Sequence, residues 1–164
     1  QGMQPIVGYN FGARKFDRVA RALRYAIFAA VAVTTSGFLM AEIFPHLLAN
    51  MFTSDQELID IASHGMRIVQ IMFPIVGFQM VTANFFQSIG KVRKAILLSL
   101  TRQMLFLVPL LIILPRFMGT LGVWISMPIA DSLATVLAVF LLTHQMKKFR
   151  ENNDNDNNLK TKLI

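Results

Sequence analysis

The chain has 164 residues, 54% of them hydrophobic and 15% charged, with no cysteine and a formal net charge of +7. Soluble domains carry about 25% charged residues, so the composition excludes an ordinary water-soluble globule, and the lack of cysteine excludes disulfides and thiolate metal sites. The positive charge does not point to nucleic acid, because the basic residues sit in short clusters at the ends of apolar tracts, without an aromatic-interleaved basic patch.

In chain order, Gln1 to Gly12 reads as the inner end of a helix that begins upstream, so the chain is expected to be the C-terminal piece of a longer protein. A first membrane span is predicted over about Arg24 to Phe44, with Thr34, Thr35, Ser36 and Gly37 at its centre suited to close helix packing and Pro45 at its exit. The stretch His46 to Asp60 carries Asp55, Glu57 and Asp60 and no Lys or Arg. Within it Ser54 is expected to cap a helix start, with the acids on the favourable end of the dipole. The second span, about Ile61 to Ser88, is interrupted by Pro74 and Gly77. Ile68 to Gly90 runs 23 residues without a charge; about 20 apolar residues at 1.5 Å rise cross about 30 Å of hydrocarbon. The third span, about Ala95 to Leu114, contains Arg102 and Pro109 and closes at Pro115-Arg116. A turn at Gly119 to Gly122 leads to the fourth, about Val123 to Thr143, which holds Pro128 and Asp131 and ends at Lys147-Lys148-Phe149-Arg150. The Asn-, Asp- and Glu-rich run Glu151 to Asn158 predicts that residues 147–164 form a disordered cytoplasmic tail.

The fold class is therefore all-α, a polytopic membrane helix bundle over residues 1–146. One set of flanks holds Arg14, Lys15, Arg18, Arg21, Arg24, Lys91, Arg93, Lys94, Lys147, Lys148 and Arg150, and the alternate flanks hold Arg116. Eleven against one puts the first set in the cytoplasm, the C-terminus with it.

Ionisable groups inside spans cost at least about 2.5 kcal/mol at mid-helix, so each needs a reason. Arg102 lies eight residues past Lys94, roughly 12 Å deeper at 1.5 Å per residue. It reads functionally as a cavity-facing cation or a partner for a carboxylate, and structurally as one member of a packing pair or a cap on kinked backbone carbonyls. Asp131, eight residues into the fourth span, reads either as an ion-coupling site or as a hydrogen-bond anchor beside Pro128. The second span interleaves Gln70, Gln79, Thr82, Asn84 and Gln87 with Phe73, Phe78, Phe85 and Phe86. Gln79, Phe86 and Met72 fall near one face, where an amide and aromatic wall would suit amphipathic organic cations; ordinary packing with amide glue is the alternative. No phosphate loop, metal-ligand cluster or nucleophile with a base is present in the sequence, so neither an enzyme nor a bound metal is expected.

Gln4-Pro5-Ile6-Val7-Gly8-Tyr9-Asn10-Phe11-Gly12-Ala13-Arg14-Lys15 resembles the motif that closes the eighth helix of multidrug and toxin extrusion (MATE) transporters. The resemblance continues through Phe86-Gln87-Ser88-Ile89-Gly90, Ser99-Leu100-Thr101-Arg102-Gln103, Pro109, Pro115, Gly122-Val123-Trp124 and Pro128-Ile129-Ala130-Asp131, in the family's order and spacing. It is nearest the DNA-damage-inducible and staphylococcal-type bacterial branch. It implies a twelve-helix, two-lobe transporter of the bacterial cytoplasmic (inner) membrane, of which this chain holds the end of helix eight and helices nine to twelve. It further implies efflux of cationic drugs in exchange for protons or sodium, with membrane lipid, drug and the N-terminal part of the same chain as partners, and no cofactor beyond the coupling ion.

Some family members carry an acidic ion ligand midway along the tenth helix, whereas Ile68 to Ser88 has none and Asp60 at the mouth is the nearest acid. The coupling carboxylate is therefore expected upstream. Gln70, Gln79, Asn84 and Arg102 are the cavity candidates. Gly8 and Gly12, one turn apart, are expected to let two backbones approach. The rival readings are a lipid-linked oligosaccharide flippase, which calls for more cavity Arg and Lys, and a non-transporting membrane scaffold.

Overall fold

The protein is described here by a computed structural model covering residues 2–162, with side chains through residue 152. Its helices are α1 (Met3–Gly12), α2 (Phe16–Ile43), α3 (Pro45–Asn50), α4 (Gln56–Val69), α5 (Phe73–Ser88), α6 (Val92–Leu100), α7 (Val108–Met118) and α8 (Thr120–Lys162). A 3-10 turn, Gln70–Met72, joins α4 to α5, and a π-helical stretch, Thr101–Leu107, joins α6 to α7. These make four continuous helical rods long and apolar enough to span a membrane: Phe16–Ile43, Gln56–Ser88, Val92–Met118 and Thr120–Asn152. The chain is a multi-pass membrane protein.

Each of these two breaks has a proline two residues beyond its end. Pro74 has no N–H for the carbonyl of Gln70, and Pro109 has none for that of Leu105, so the ladder must tighten or widen there. The second span is thus interrupted at residues 70–72 rather than at Gly77. Gly77 instead marks a close crossing: a Cβ there would lie 2.8 Å from the Ala30 carbonyl oxygen and 2.8 Å from Thr34 Oγ1. The expected small-residue packing of α2 is realised by Thr34, whose hydroxyl lies 3.1 Å from the Pro74 carbonyl, and by Gly37 against the Phe73 ring.

The ends of the elements correct several expectations. Asp55, not Ser54, caps α4, its carboxylate accepting from the Glu57 and Leu58 amides. A carboxylate is the better anchor, since it also complements the positive end of the helix. Helix α7 runs past Pro115 to Met118 and stops at Gly119, whose φ of +58° suits only glycine well. Gly8 does let backbones approach, with its Cβ position 3.3 Å from the Ser88 carbonyl oxygen, but Gly12 has nothing within 4 Å. The backbone of residues 147–162 continues α8 where disorder is expected, because extending an existing helix adds a hydrogen bond without a new nucleation cost. Residues 163 and 164 lie outside the described residues.

The apolar core lies at the end of the bundle that carries the basic flanks. Val7 of α1, Val19 and Leu23 of α2, Phe85 and Phe86 of α5, Leu98 of α6, and Leu142 and Phe149 of α8 meet there. At the opposite end the structure pairs Arg67 with Glu42 at 3.8 Å and His46 with Asp60 at 3.7 Å, all largely exposed. Exposed pairs of this kind contribute at most about 1 kcal/mol. Arg67 adds a second cation to that end, so the basic asymmetry keeps its sign.

Candidate functional site

Midway along the bundle the π-helical stretch meets α8. Arg102 Nε donates to Asp131 Oδ1 at 2.6 Å, with the Asp131 side chain 10% and the Arg102 side chain 35% exposed. The two ionisable residues singled out separately from the sequence are therefore one ion pair, and each supplies the reason for the other. In a π-helical turn the ladder widens and side chains are re-aimed relative to an α-helix. Arg102 is the second residue of that stretch.

Gln79 of α5 fastens the same point of α8. Its Nε2 donates to the Asp131 carbonyl at 2.8 Å and to Thr135 Oγ1 at 2.7 Å, while the Thr135 hydroxyl donates back to the Asp131 carbonyl at 2.7 Å. Both amide hydrogens of a buried Gln are thus used, and α5 cannot rotate against α8 without breaking two bonds in a low-dielectric interior.

Two cavities flank the ion pair. One, of about 270 Å³, is lined by Gln79, Asn84, Ser99, Arg102 and Gln103 with Met80, Ala83, Leu98, Ala134 and Ala138. The other, of about 360 Å³, is lined by Gln70, Phe73, Arg102, Gln103, Met127 and Asp131, among others. Arg102 and Gln103 belong to both walls, so they form a septum. All four cavity candidates line one cavity or the other, but Gln70 is parted from Gln79 and Asn84 by that septum.

The expected amide and aromatic wall does not form as one surface. Phe86 is fully buried in the apolar core, as is Phe85, and Phe73 is the aromatic lining the second cavity. Aromatic bulk is worth more in that dry core than on a wall shared with amides. Ser99 and Gln103 stood in the sequence as members of the family-like string around Arg102, without a cavity role, and Thr135 was not singled out. The i, i+4 spacing of Asp131 and Thr135 is the signal that points to the last of them.

The motif residues form a second polar joint at the basic end. Gln4 Nε2 donates to Gln87 Oε1 at 3.2 Å, tying α1 to α5, and Asn10 Nδ2 donates to the Ile6 carbonyl at 2.8 Å. In the α5–α6 loop, Lys91 donates to the buried Gln145 of α8. Burial first, then repulsion from Lys94 and Lys148, lowers the Lys91 pKa from its ordinary value.

The sequence profile of the MatE family matches residues 1–113. The chain belongs to the MatE family. The family resemblance of the motifs from Gln4 to Lys15 and beyond is thereby borne out, as is the all-α membrane bundle. A curated relative, the multidrug export protein MepA of Staphylococcus aureus, is 25% identical over 149 residues, which is 89% of this chain and 33% of that protein. The MepA of Staphylococcus haemolyticus is 21% identical over 142 residues, 87% of this chain and 31% of that protein. Among solved structures, the MATE multidrug transporter DinF-BH is 39% identical, with a TM-score of 0.81 over 87% of this chain and 32% of that one. An inward-facing multidrug resistance MATE family transporter matches in fold, with a TM-score of 0.84 at 22% identity over 91% of this chain and 35% of that one. This MatE chain therefore spans about a third of the length of the relatives it matches.

Proposed function

We propose that this chain forms the C-terminal part of a secondary multidrug exporter, a transporter and not an enzyme, which expels organic cations in exchange for protons or sodium. The observation that carries the reading is the Arg102–Asp131 pair at mid-bundle with an amide-lined cavity on each side of it. Polar and ionisable side chains inside a lipid-embedded bundle are costly and mark solute pathways. The multidrug export named for the relatives supports the same reading. Among the described residues Arg102 is the cation of these cavities, and it is already neutralised, which favours cationic substrates over the pyrophosphate of a lipid-linked sugar.

In this reading Gln79, Asn84 and Gln70 offer hydrogen-bonding walls to an amphipathic solute. Asp131 is an anchor rather than the proton carrier, because its carboxylate is already engaged by a guanidinium. In the full-length transporter, Asn84→Leu is expected to lower efflux of a fluorescent lipophilic cation several-fold at normal expression. Asp131→Asn, which keeps size but cannot ionise, is expected to retain partial proton-driven efflux. Unchanged efflux in Asn84→Leu would remove the cavity from the pathway. Complete loss in Asp131→Asn with normal expression and drug binding would make Asp131 the coupling site.

The orientation of the MatE chain is proposed with the basic end and the C-terminus cytoplasmic, in a bacterial inner membrane. Cysteines at Arg93 and Asp55 should then react with an impermeant maleimide from opposite sides, Asp55→Cys from outside intact cells. External labelling of Arg93→Cys would reverse the assignment.

A further inference from the structure

The basic end of the bundle holds a groove that the transport reading does not use. It has a volume of about 630 Å³ and runs between the first turns of α2 and residues 146–150 of α8. Arg24, Lys147 and Arg150 line it from the two helices, together with Asp17. Its floor is apolar: the buried rings of Phe16 and Phe149 stack with centroids 5.1 Å apart, beside Ala20 and Met146. All four charged lining residues are exposed.

Below this cationic mouth both helices present bare apolar side chains on the same faces. Phe28, one turn beyond Arg24, is 76% exposed, and Phe140, two turns before Lys147, is 66% exposed. Arg24 directly precedes the uncharged stretch Tyr25 to Ala41, which sets the guanidinium at headgroup depth and Phe28 in the hydrocarbon. A cationic cup with an exposed phenylalanine below it on each helix is complementary to a phosphate carrying acyl chains. Basic pockets between membrane helices select anionic headgroups in this way.

We propose that this groove binds one anionic phospholipid of the surrounding bilayer, with its phosphate held by Arg24, Lys147 and Arg150 and its acyl chains laid along Phe28 and Phe140. The site does not rest on the transport reading, because it needs only that the chain spans a membrane.

The test is native mass spectrometry of the purified full-length transporter titrated with phosphatidylglycerol, with phosphatidylcholine as the zwitterionic reference. Wild type should retain one tightly held phosphatidylglycerol and no matching phosphatidylcholine. Each of Arg24→Gln, Lys147→Gln and Arg150→Gln should weaken that retention about fivefold, the effect of about 1 kcal/mol per cation near an anionic surface. The triple variant should weaken it about 100-fold if the three contributions add. The single variants alter exposed side chains, so they give the answer even where the triple variant fails to fold. Equal losses on Arg18→Gln or Arg93→Gln, outside the groove, would overturn the site in favour of diffuse attraction. Displacement of the lipid by inorganic phosphate would overturn the acyl component. Retention unchanged in all groove variants would place the bound lipid elsewhere and overturn the site.

Discussion

At Pro74 the backbone tightens into a 3-10 turn, whereas at Pro109 it widens into a π-helical stretch. Both prolines strip a donor from the preceding turn, so the residue itself does not choose between the two outcomes. The neighbours choose. At Pro74, α2 lies so close that Gly77 has no room for a Cβ, and the Thr34 hydroxyl reaches the Pro74 carbonyl. That joint is sealed by backbone contact. At Pro109 the widened stretch packs on α8 and carries Arg102 to Asp131, with a cavity on each side. The first break is sealed by small residues, and the second carries a charge between two cavities.

This contrast can be broken most forcefully at the open joint. Removing one member of a largely buried pair strands the other charge, which costs about 3–5 kcal/mol. Arg102→Ala is expected to fall near the lower bound, since its side chain is partly exposed, and to reduce the yield of folded full-length protein sharply. The double variant Arg102→Ala with Asp131→Ala should recover much of that yield, because no unpaired carboxylate remains. A single variant with wild-type yield and thermal stability would show that Arg102 reaches a polar interface instead of depending on Asp131.

The sealed joint is tested by bulk. Gly77→Ala places a methyl 2.8 Å from the Ala30 carbonyl oxygen, a backbone atom that cannot swing away. Overpacking of this kind costs about 1–3 kcal/mol, and it should appear as a lowered thermal unfolding midpoint. Gly12→Ala, with open space around it, should leave the midpoint in place. If the two variants behave alike, α2 and α5 are not locked at that crossing.

A smaller change sharpens the same joint. Thr34→Val keeps the shape of the side chain and removes the hydroxyl that lies 3.1 Å from the Pro74 carbonyl. The loss should be about 1 kcal/mol, the net worth of one hydrogen bond. A parallel Thr143→Val, whose hydroxyl bonds only within its own exposed helix face, should cost less. Equal effects would mean that the Thr34 hydroxyl donates its one proton to the Ala30 carbonyl, 2.9 Å away in its own helix, rather than to Pro74.

The sequence alone carried much of the fold because lipid imposes a demand that can be read locally. An apolar run must be long enough to cross and must end in groups that tolerate the interface, and four such runs stand in Phe16–Ile43, Gln56–Ser88, Val92–Met118 and Thr120–Asn152. The family motifs were legible for the same reason, as short strings at fixed spacing. Arg102 and Asp131 were legible as anomalies, since a charge in a span is expensive wherever its partner lies. Their pairing was not legible, because they stand 29 residues apart on different rods, and only the packing of those rods fixes their distance. The same holds for Gln79, whose bonds reach Asp131 and Thr135 from 52 and 56 residues away. The partition of Gln70 from Asn84 into separate cavities and the fate of Phe85 and Phe86 in the core also came from tertiary structure. Composition and periodicity report what a residue costs in lipid; which neighbour offsets that cost is set by helix crossings, and these depend on side chains far apart in the chain.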